Sequence, residues 1–392
     1  MKTRAIAPGV RCSIFESDTG VSEYYLVIES RPESIFSKTL SEMYTQYTDA
    51  LKEMGLAEST LCFARVYLSD IENQKKEVIV SPLFNSLSIG TCSLKEQAPL
   101  ESGDLTLFAY HIKGVNSPIT NEKYNFDDQY FGYGTKFIGK NYNLYYTANF
   151  SGWGELNSYI QTSKIFSMYT RFLHDNKMTL MNNTVRTWIY VRDIDNNYHG
   201  MVSARKDFFE AQGLTKETRY IASTGIESIN TNPDALVSLD ALSISNLDPK
   251  QIVRMEAPAN MCPTHCYGVT FERGSRIDFG DRSHFHISGT ASIDNKGDVM
   301  YIGDIKKQTE RTLDNIEALL TEQQATIDDM AYLIVYLRNN AHCQFVSEVI
   351  KKRLKSPIPI VMVNGAVCRP TWLVEMEGVG IKKQATSFPA FF

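Results

Sequence analysis

The sequence predicts an α+β protein built from three tandem copies of one strand-and-helix unit. Its 392 residues are too many for one ordinary hydrophobic core and fit two or three domains. Strand-like and helix-like stretches recur in the same order three times. Each copy has a strand that ends in a tyrosine after a long helix, at Tyr67, Tyr190 and Tyr336. These tyrosines are a small domain apart, further than the roughly 20–50 residues of a solenoid repeat.

The first copy begins with a strand over residues 24–32. A helix is predicted from Phe36 to Met54, because apolar residues recur there at spacings of three and four, and Gly55 ends it. The Tyr67 strand, a helix-like segment and a strand over 105–112 follow.

The second copy is predicted to contain a strand over 144–150, a helix over 158–175, the Tyr190 strand, a helix over 202–212, a turn at 223–226 and a strand over 235–244. The third contains a strand and turn over 284–293, a helix over 304–321, the Tyr336 strand, a helix over 345–354 and a final strand from Thr371. We therefore expect domains at 1–120, 121–250 and 251–392.

Composition narrows the classes of partner and the compartment. A net charge of −5 and a pI near 5.9 argue against a nucleic-acid surface, which is usually basic. No apolar run approaches the roughly 18–20 residues that span a bilayer, and Pro8 and Arg11 interrupt any signal-like start. Seven scattered cysteines fit reduced thiols better than a disulfide framework. We expect a cytoplasmic protein with no membrane partner.

The last predicted strand carries the most suggestive polar residues. Strand alternation places Glu375 and Glu377 on one face, and Cys368 and Arg369 precede them. Two carboxylates on one face can raise each other's pKa, as a general acid near neutral pH requires. The same pattern also fits an outward-facing, solvated stripe.

The third copy resembles the RidA/YjgF (endoribonuclease L-PSP) family. The resemblance rests on Ser288-Gly289-Thr290, Gln308 to Ile316, Val335 to Arg338, and Arg369 ahead of Val374-Glu375. Members are generally homotrimers with ligand sites in the clefts between subunits. The resemblance therefore implies an intramolecular pseudo-trimer of three RidA-like domains with a chorismate-mutase-like barrel. The first domain is degenerate, since it fits only the general unit.

Residues from roughly 143 to 380 also resemble the chorismatases. The matching segments are Arg186-x-Trp188-x-Tyr190, Arg205, Thr224-Gly225-Ile226, Tyr267-Gly268, Ser288-Gly289-Thr290, Cys368-Arg369-Pro370 and Leu373-Val374-Glu375. One segment departs from the family. Met261 to Cys266 stands where a Tyr-Pro-Arg-type sequence is expected, so an arginine is missing there.

This second resemblance implies cleavage of the enolpyruvyl ether of chorismate to pyruvate plus a hydroxybenzoate or dihydroxycyclohexadiene carboxylate. The cleft would lie between the second and third domains and need no cofactor. Glu375 would be the general acid, and Cys368 would mark the subtype that makes 3-hydroxybenzoate. Chorismate is a dicarboxylate, and arginine pairs bidentately with carboxylates. The expected substrate-binding residues are Arg186, Arg205, Tyr267, Gly289, Thr290 and Arg369.

Each candidate residue also has a plain structural explanation. The arginines fit inter-domain ion pairs, Tyr267 a packed aromatic ring, and Cys368 a small buried apolar residue, although the neighbouring Arg369 can lower its pKa. Cys262, His265 and Cys266, with His284 and His286, have metal-ligand chemistry. Their spacing matches no common zinc pattern, so we expect a loop lining the cleft and no metal.

Two other functions remain open on the sequence alone. One is a RidA-type imine or enamine deaminase, and the other is a non-enzymatic protein that binds small carboxylates. Because a pseudo-trimer closes its own ring, we expect a monomer or weak dimer.

Overall fold

The computed structural model describes residues 1–33, 35–114, 120–125, 132–152, 154 and 157–392, which form three six-stranded sheets. The first sheet contains β1 (Lys2–Ala7), β2 (Val10–Glu16), β3 (Val21–Glu29), β4 (Leu61–Leu68), β5 (Thr91–Glu96) and β6 (Leu105–Gly114). The second contains β7 (Thr120–Asn125), β8 (Tyr133–Ile138), β9 (Asn143–Ser151), β10 (Thr184–Val191), β11 (Ala222–Glu227) and β12 (Val237–Ile244). The third contains β13 (Ile252–Arg254), β14 (Gly274–Asp278), β15 (Arg282–Ala291), β16 (Met330–Leu337), β17 (Ile360–Asn364) and β18 (Val374–Lys383).

The three sheets have one topology. Their strand orders are β1-β2-β3-β6-β4-β5, β7-β8-β9-β12-β10-β11 and β13-β14-β15-β18-β16-β17. In each sheet the fourth and fifth strands along the chain pair in parallel, and the other pairs are antiparallel. This identity of order confirms the predicted α+β fold of three copies.

Helices cover the sheets in each copy. They are α1 (Phe36–Met54), α2 (Ile71–Val80) and α3 (Pro82–Leu87), then α4 (Ser158–Asp175), α5 (Leu180–Asn183) and α6 (Ile194–Ala211), and finally α7 (Ile305–Thr321) and α8 (Cys343–Arg353). Gly55 ends α1 with φ of 62°, and the Asp304 side chain accepts from the Lys307 N–H to begin α7. Within the described residues, no helix is both long and apolar enough to cross a membrane.

The copies close into a ring. Tyr67, Tyr190 and Tyr336 hold the same position in β4, β10 and β16, and all three are buried in one shared hydrophobic core. Isolated β-bridges join each copy to the next, at Glu96 with Ile229, Ala222 with Glu272, and Pro99 with Val363. The chain is therefore a pseudo-trimer with three junctions between copies.

Several elements differ from the sequence prediction. The predicted turn at 223–226 is β11, which pairs in parallel with β10 and is mostly buried. Helix α6 begins at Ile194, eight residues before the predicted start, after Asp193 adopts φ of 48°. The final strand begins at Val374 rather than Thr371. The strand conformation of β11 arises because pairing with β10 outweighs the local turn propensity of this short segment.

Candidate active site

A cavity of about 170 Å³ lies at the junction of the second and third copies. A single water needs only about 10–15 Å³, so the space fits a small organic molecule. The second copy lines it from β11 and α6. The third lines it from the segment before β14, from β15, and from the segment that leads into β18. The polar and aromatic lining residues are Tyr198, Arg205, Ser223, Tyr267, Phe271, Arg273, Cys368, Arg369, Trp372 and Glu375.

Glu375 forms one wall of the cavity from the second position of β18. The opposite strand β15 makes room for it with a bulge, since the register shifts between Ile287 and Thr290. Gly289 lies in that bulge. A Cβ on Gly289 would lie 2.9 Å from Glu375 Cδ and would clash with its Oε1. Glycine is therefore needed here for close approach.

The environment of Glu375 favours its protonated form. The side chain is 5% exposed, and burial is the main cause that raises its pKa from an ordinary 4.5 to about 8. The negative charge of Glu377 raises it further, while Arg186 and Arg273 act in the opposite sense. Near neutral pH, Glu375 can therefore donate a proton into the cavity.

Glu377 lies behind Glu375, away from the cavity, and accepts hydrogen bonds from several buried donors. Arg186 Nη2 donates to Oε2 at 2.5 Å, and the Thr224 hydroxyl also donates to Oε2. Trp188 Nε1 donates to Oε1 at 2.9 Å, and the Tyr336 hydroxyl donates to Oε1 at 3.0 Å. These contacts hold the carboxylate of Glu377 firmly beneath the wall of the cavity.

Three arginines line the cavity, and one of them has two nitrogens without a hydrogen-bond partner among the described residues. Arg205, from α6, is 2% exposed, and its Nε and Nη2 have no hydrogen-bond partner among the described residues. Arg273 donates to the Cys262 carbonyl at 3.0 and 3.2 Å. Arg369 donates to the Gly297 carbonyl at 2.9 Å and lies over the rings of Tyr267 and Trp372. A buried, unpaired guanidinium is costly without a bound anion, so the cavity suits an anionic ligand.

Of the predicted site residues, the structure brings six to this cavity, namely Arg205, Tyr267, Gly289, Cys368, Arg369 and Glu375. Two predicted substrate-binding residues do not line it. Arg186 is turned toward Glu377, and the Thr290 hydroxyl donates to the Ser288 carbonyl at 2.9 Å. The direction in which Arg186 points from its strand and the β15 bulge before Thr290 could not be predicted from residue spacing.

Several lining residues were missed in the sequence, among them the polar residues Arg273 and Tyr198. Arg273 supplies a third cavity arginine, and it donates to the carbonyl of Cys262 in the Met261–Cys266 segment. Tyr198 on α6 lines the cavity beside Cys368. Because α6 begins earlier than predicted, Tyr198 appeared to precede the helix.

Arg369 lowers the pKa of Cys368, as the sequence suggested, but burial outweighs this effect. Burial raises the pKa of its thiol to about 12, and the neighbouring Glu375 charge raises it too, against smaller opposing effects of Tyr198 and Arg369. Cys368 is therefore a neutral thiol in the cavity wall rather than a nucleophilic thiolate.

The cysteine and histidine cluster does not assemble. His284 pairs with Glu23 at 3.0 Å, Cys262 is buried and Cys266 is exposed. Across the part of the chain that the structure describes, no three His, Cys, Asp or Glu side chains are placed to hold a metal ion.

The fold and site define a three-copy α+β protein with an arginine-lined cavity between its second and third copies. Residues 280–382 match the family model described as endoribonuclease L-PSP. A RutC family protein of Pyrococcus abyssi is 31% identical over 98 residues, which are 25% of this chain and 77% of that protein. The chain belongs to this RutC, or endoribonuclease L-PSP, family, which confirms the predicted resemblance.

The whole three-copy arrangement also has a solved counterpart. A crystal structure of a chorismatase superposes with a TM-score of 0.61 and 18% sequence identity. The match covers 82% of this chain and 93% of the chorismatase chain. It extends the similarity from the third copy to most of the chain and shows that the two proteins share a fold.

Proposed function

We propose that this protein is a chorismatase-like enzyme that cleaves the enolpyruvyl ether of chorismate. The products would be pyruvate and a hydroxybenzoate or dihydroxycyclohexadiene carboxylate. One observation carries the proposal: a buried carboxylic acid with a raised pKa, Glu375, shares a cavity with the unpaired cation of Arg205. The shared fold with a chorismatase supports it.

The cavity has groups for both parts of such a substrate. Its arginines, Arg205, Arg273 and Arg369, suit a ligand with two carboxylates, since each guanidinium offers planar, charged donors. Phe271 and Tyr267 offer aromatic faces on which a six-membered ring can pack. Both aromatic rings already lie against Arg273, which aligns apolar and cationic surface along one wall.

Glu375 would start the reaction by protonating the terminal methylene of the enolpyruvyl group. The proton forms a new C–H bond, and the ether oxygen stabilises the resulting oxocarbenium-like cation. In the hydrolytic outcome, water adds to this carbon, and the hemiketal collapses to pyruvate and the ring alcohol. In the 3-hydroxybenzoate outcome, the neighbouring ring hydroxyl loses its proton and its oxygen bonds to the ether-bearing ring carbon, while the ring C–O bond breaks and pyruvate leaves with the ether oxygen as its keto oxygen. The ring then becomes aromatic as the transferred oxygen stays on that carbon, its bond to the original carbon breaks, and the ring hydrogen on the newly oxygenated carbon is lost as a proton while the oxygen gains one. Glu375, now a carboxylate, recovers its proton in either case.

The direct test is to mix the purified protein with chorismate and to follow pyruvate and ring products. Pyruvate release by the wild type supports the proposal, and its absence contradicts it. Turnover of 2-aminoacrylate-type imines without pyruvate release from chorismate would instead indicate a deaminase. Thermal stabilisation by chorismate without turnover of either substrate would indicate a carboxylate-binding protein.

Gly289→Ala is expected to lower chorismate cleavage strongly while reducing stability only modestly. The new methyl group would displace the Glu375 carboxyl, whose Cδ lies 2.9 Å from the Cβ position. Because a side-chain end can swing aside, the free energy of unfolding should fall by about 1–3 kcal/mol, as in other overpacked sites. The measurements are pyruvate release and thermal unfolding.

Gly225→Ala is the matched control for that change. Gly225 lines the same cavity, but its Cβ would lie 3.5 Å from both Met201 and Tyr198, which is an ordinary contact. It should keep most of the activity. Equal activity losses in both variants would contradict the close-approach explanation.

Cys368→Ala is expected to change the ratio of ring products in favour of the dihydroxycyclohexadiene carboxylate. The substitution removes a neutral thiol that contacts Tyr198 and faces the cavity beside Glu375. Chromatography of the ring products gives the ratio. Cys266→Ala, which alters an exposed cysteine, is the control and should leave the ratio unchanged. An unchanged ratio in Cys368→Ala would remove the role assigned to this thiol.

A further inference from the structure

The three junctions between copies differ at one strand position. The position is Glu377 in β18, Asp240 in β12 and Phe108 in β6. These three are equivalent because each pairs with the fifth residue of the neighbouring strand, which is Ile334 in β16, Trp188 in β10 and Arg65 in β4. Two junctions therefore bury a carboxylate near the axis of the ring, and the third buries an aromatic ring. Phe108 packs on Tyr332, with ring centroids 4.5 Å apart.

The two buried carboxylates are held by similar donors. Ser93 on β5 donates to Asp240 at 2.6 Å, and Thr224, which holds the same position on β11, donates to Glu377. Arg65 lies 3.4 Å from Asp240 and 4.0 Å from Glu377. Lys95 also pairs with Asp240, at 3.3 Å.

The neighbouring strand position separates the two junctions. Two residues before Asp240 the chain has Ser238, whereas two residues before Glu377 it has Glu375. Residues two apart on a strand lie on the same face, so only Glu377 has a second carboxyl group beside it. That second group faces the cavity.

We propose that Glu377, held by Arg186, is a positioning residue that sets the upper pH limit at which Glu375 can donate its proton. The proposal deepens the proposed function and rests on it for its catalytic consequence. Glu377 does not line the cavity, so it acts through its charge on Glu375 and not on the substrate.

The charged and titratable groups around this pair come from several elements. Glu375 faces Glu377, Arg186 on β10, Arg273 before β14, Cys368 before β18, and the cavity residues Tyr198, Arg205, Tyr267 and Arg369. Glu377 faces Arg186, Arg65, Tyr336, Tyr67, Tyr190 and Tyr332. Glu377 is the foremost of the charges that favour a protonated Glu375, and Arg186 is the foremost that opposes it.

Glu377→Gln is expected to lower the pKa of Glu375 by at least about one unit. The substitution removes the like charge and leaves Arg186 free to favour the ionised form of Glu375. The pH above which chorismate cleavage declines should fall by the same amount as the pKa. Well above that pH, the variant should be about tenfold less active than the wild type for each unit by which the pKa falls. The pKa is read by carbon NMR of carboxyl-labelled glutamate, and Glu375→Gln identifies the resonance.

The double variant Arg186→Gln, Glu377→Gln should lower the pKa of Glu375 less than the single variant does. It removes both charges, which act in opposite senses on the pKa of Glu375. Because it leaves no unpaired cation buried at position 186, it also tests the charge effect if the single variant does not fold. Asp240→Asn is the control. It removes the equivalent carboxylate at the other junction and should leave the pKa of Glu375 near the wild-type value.

The titration separates this inference from the proposed function. If the pKa of Glu375 falls in Glu377→Gln but the wild type does not cleave chorismate, the charge effect is supported and only the proposed reaction is contradicted. An unchanged Glu375 pKa in folded Glu377→Gln and in the double variant would overturn the inference, even if the wild type releases pyruvate.

Discussion

Glu375→Gln is expected to lower pyruvate release from chorismate by about 10²–10⁴-fold, the usual contribution of a general acid. Glutamine keeps the shape of the side chain but carries no acidic proton, so chorismate should still bind. Single-turnover kinetics and calorimetric titration separate the two effects. Glu29→Gln is the matched control, because burial also raises the pKa of Glu29, which lies on β3 of the first copy. Full activity in folded Glu375→Gln would exclude this residue as the acid.

The pH dependence of the wild type follows from the same side chain. Activity should fall as the pH rises through about 8, because Glu375 loses its proton there. Its folded pKa is above its ordinary value of 4.5, so its contribution to stability is full below pH 4.5 and is lost as the pH rises to about 8. Over that window the stability of Glu375→Gln relative to wild type should rise by a few kcal/mol. Chemical denaturation at several pH values measures this difference.

Long amphipathic helices and repeated tyrosines made the fold predictable. Helices α1 and α4 have the predicted bounds, and α7 begins one residue later than predicted. Their apolar periodicity is local and extends over several turns. The tyrosine strands were recognisable because each is almost wholly buried and follows a long helix.

Short strands whose pairing is long-range could not be predicted. β11 reads as a turn because Ser223, Thr224 and Gly225 are typical turn residues. Its strand conformation is imposed by parallel pairing with β10, and the Ser223 N–H donates a further hydrogen bond to the hydroxyl oxygen of Ser288 in the third copy. β14 and β17 were also missed, since five residues give little periodicity.

The residues of the candidate site also fall into those that the sequence could predict and those that it could not. Glu375, Cys368 and Arg369 are close in sequence, so one strand and its entry segment were enough to suggest them. Arg273 was missed because no spacing connects it with β18, and only the ring of copies brings it there. The direction in which a strand residue points was also decisive, since Arg186 has the expected chemistry but meets Glu377 rather than the cavity.

Arg205→Met is expected to stabilise the free protein and to weaken chorismate binding by about 10²–10³-fold. Arg205 is a buried cation with unpaired Nε and Nη2, and burial lowers its pKa. Methionine keeps much of the volume without the charge, so the free energy of unfolding should rise by about 1–3 kcal/mol. Loss of a buried charge partner for a substrate carboxylate costs about 2–5 kcal/mol in binding. Calorimetric titration of chorismate into Glu375→Gln, with and without Arg205→Met, measures the affinity without turnover.

Arg338→Met is the control for Arg205→Met, and it should lower the free energy of unfolding where Arg205→Met raises it. Arg338 joins the same two copies outside the cavity and makes two hydrogen bonds of 2.9 Å to Asp195. Its loss should lower stability slightly, as for a partly exposed ion pair, and should leave chorismate affinity unchanged. If the buried Arg205 cation destabilises the free protein, binding of an anion beside it would offset that loss of stability. Arg205→Met that destabilises the free protein and still binds chorismate normally would therefore contradict the anion-binding assignment of the cavity.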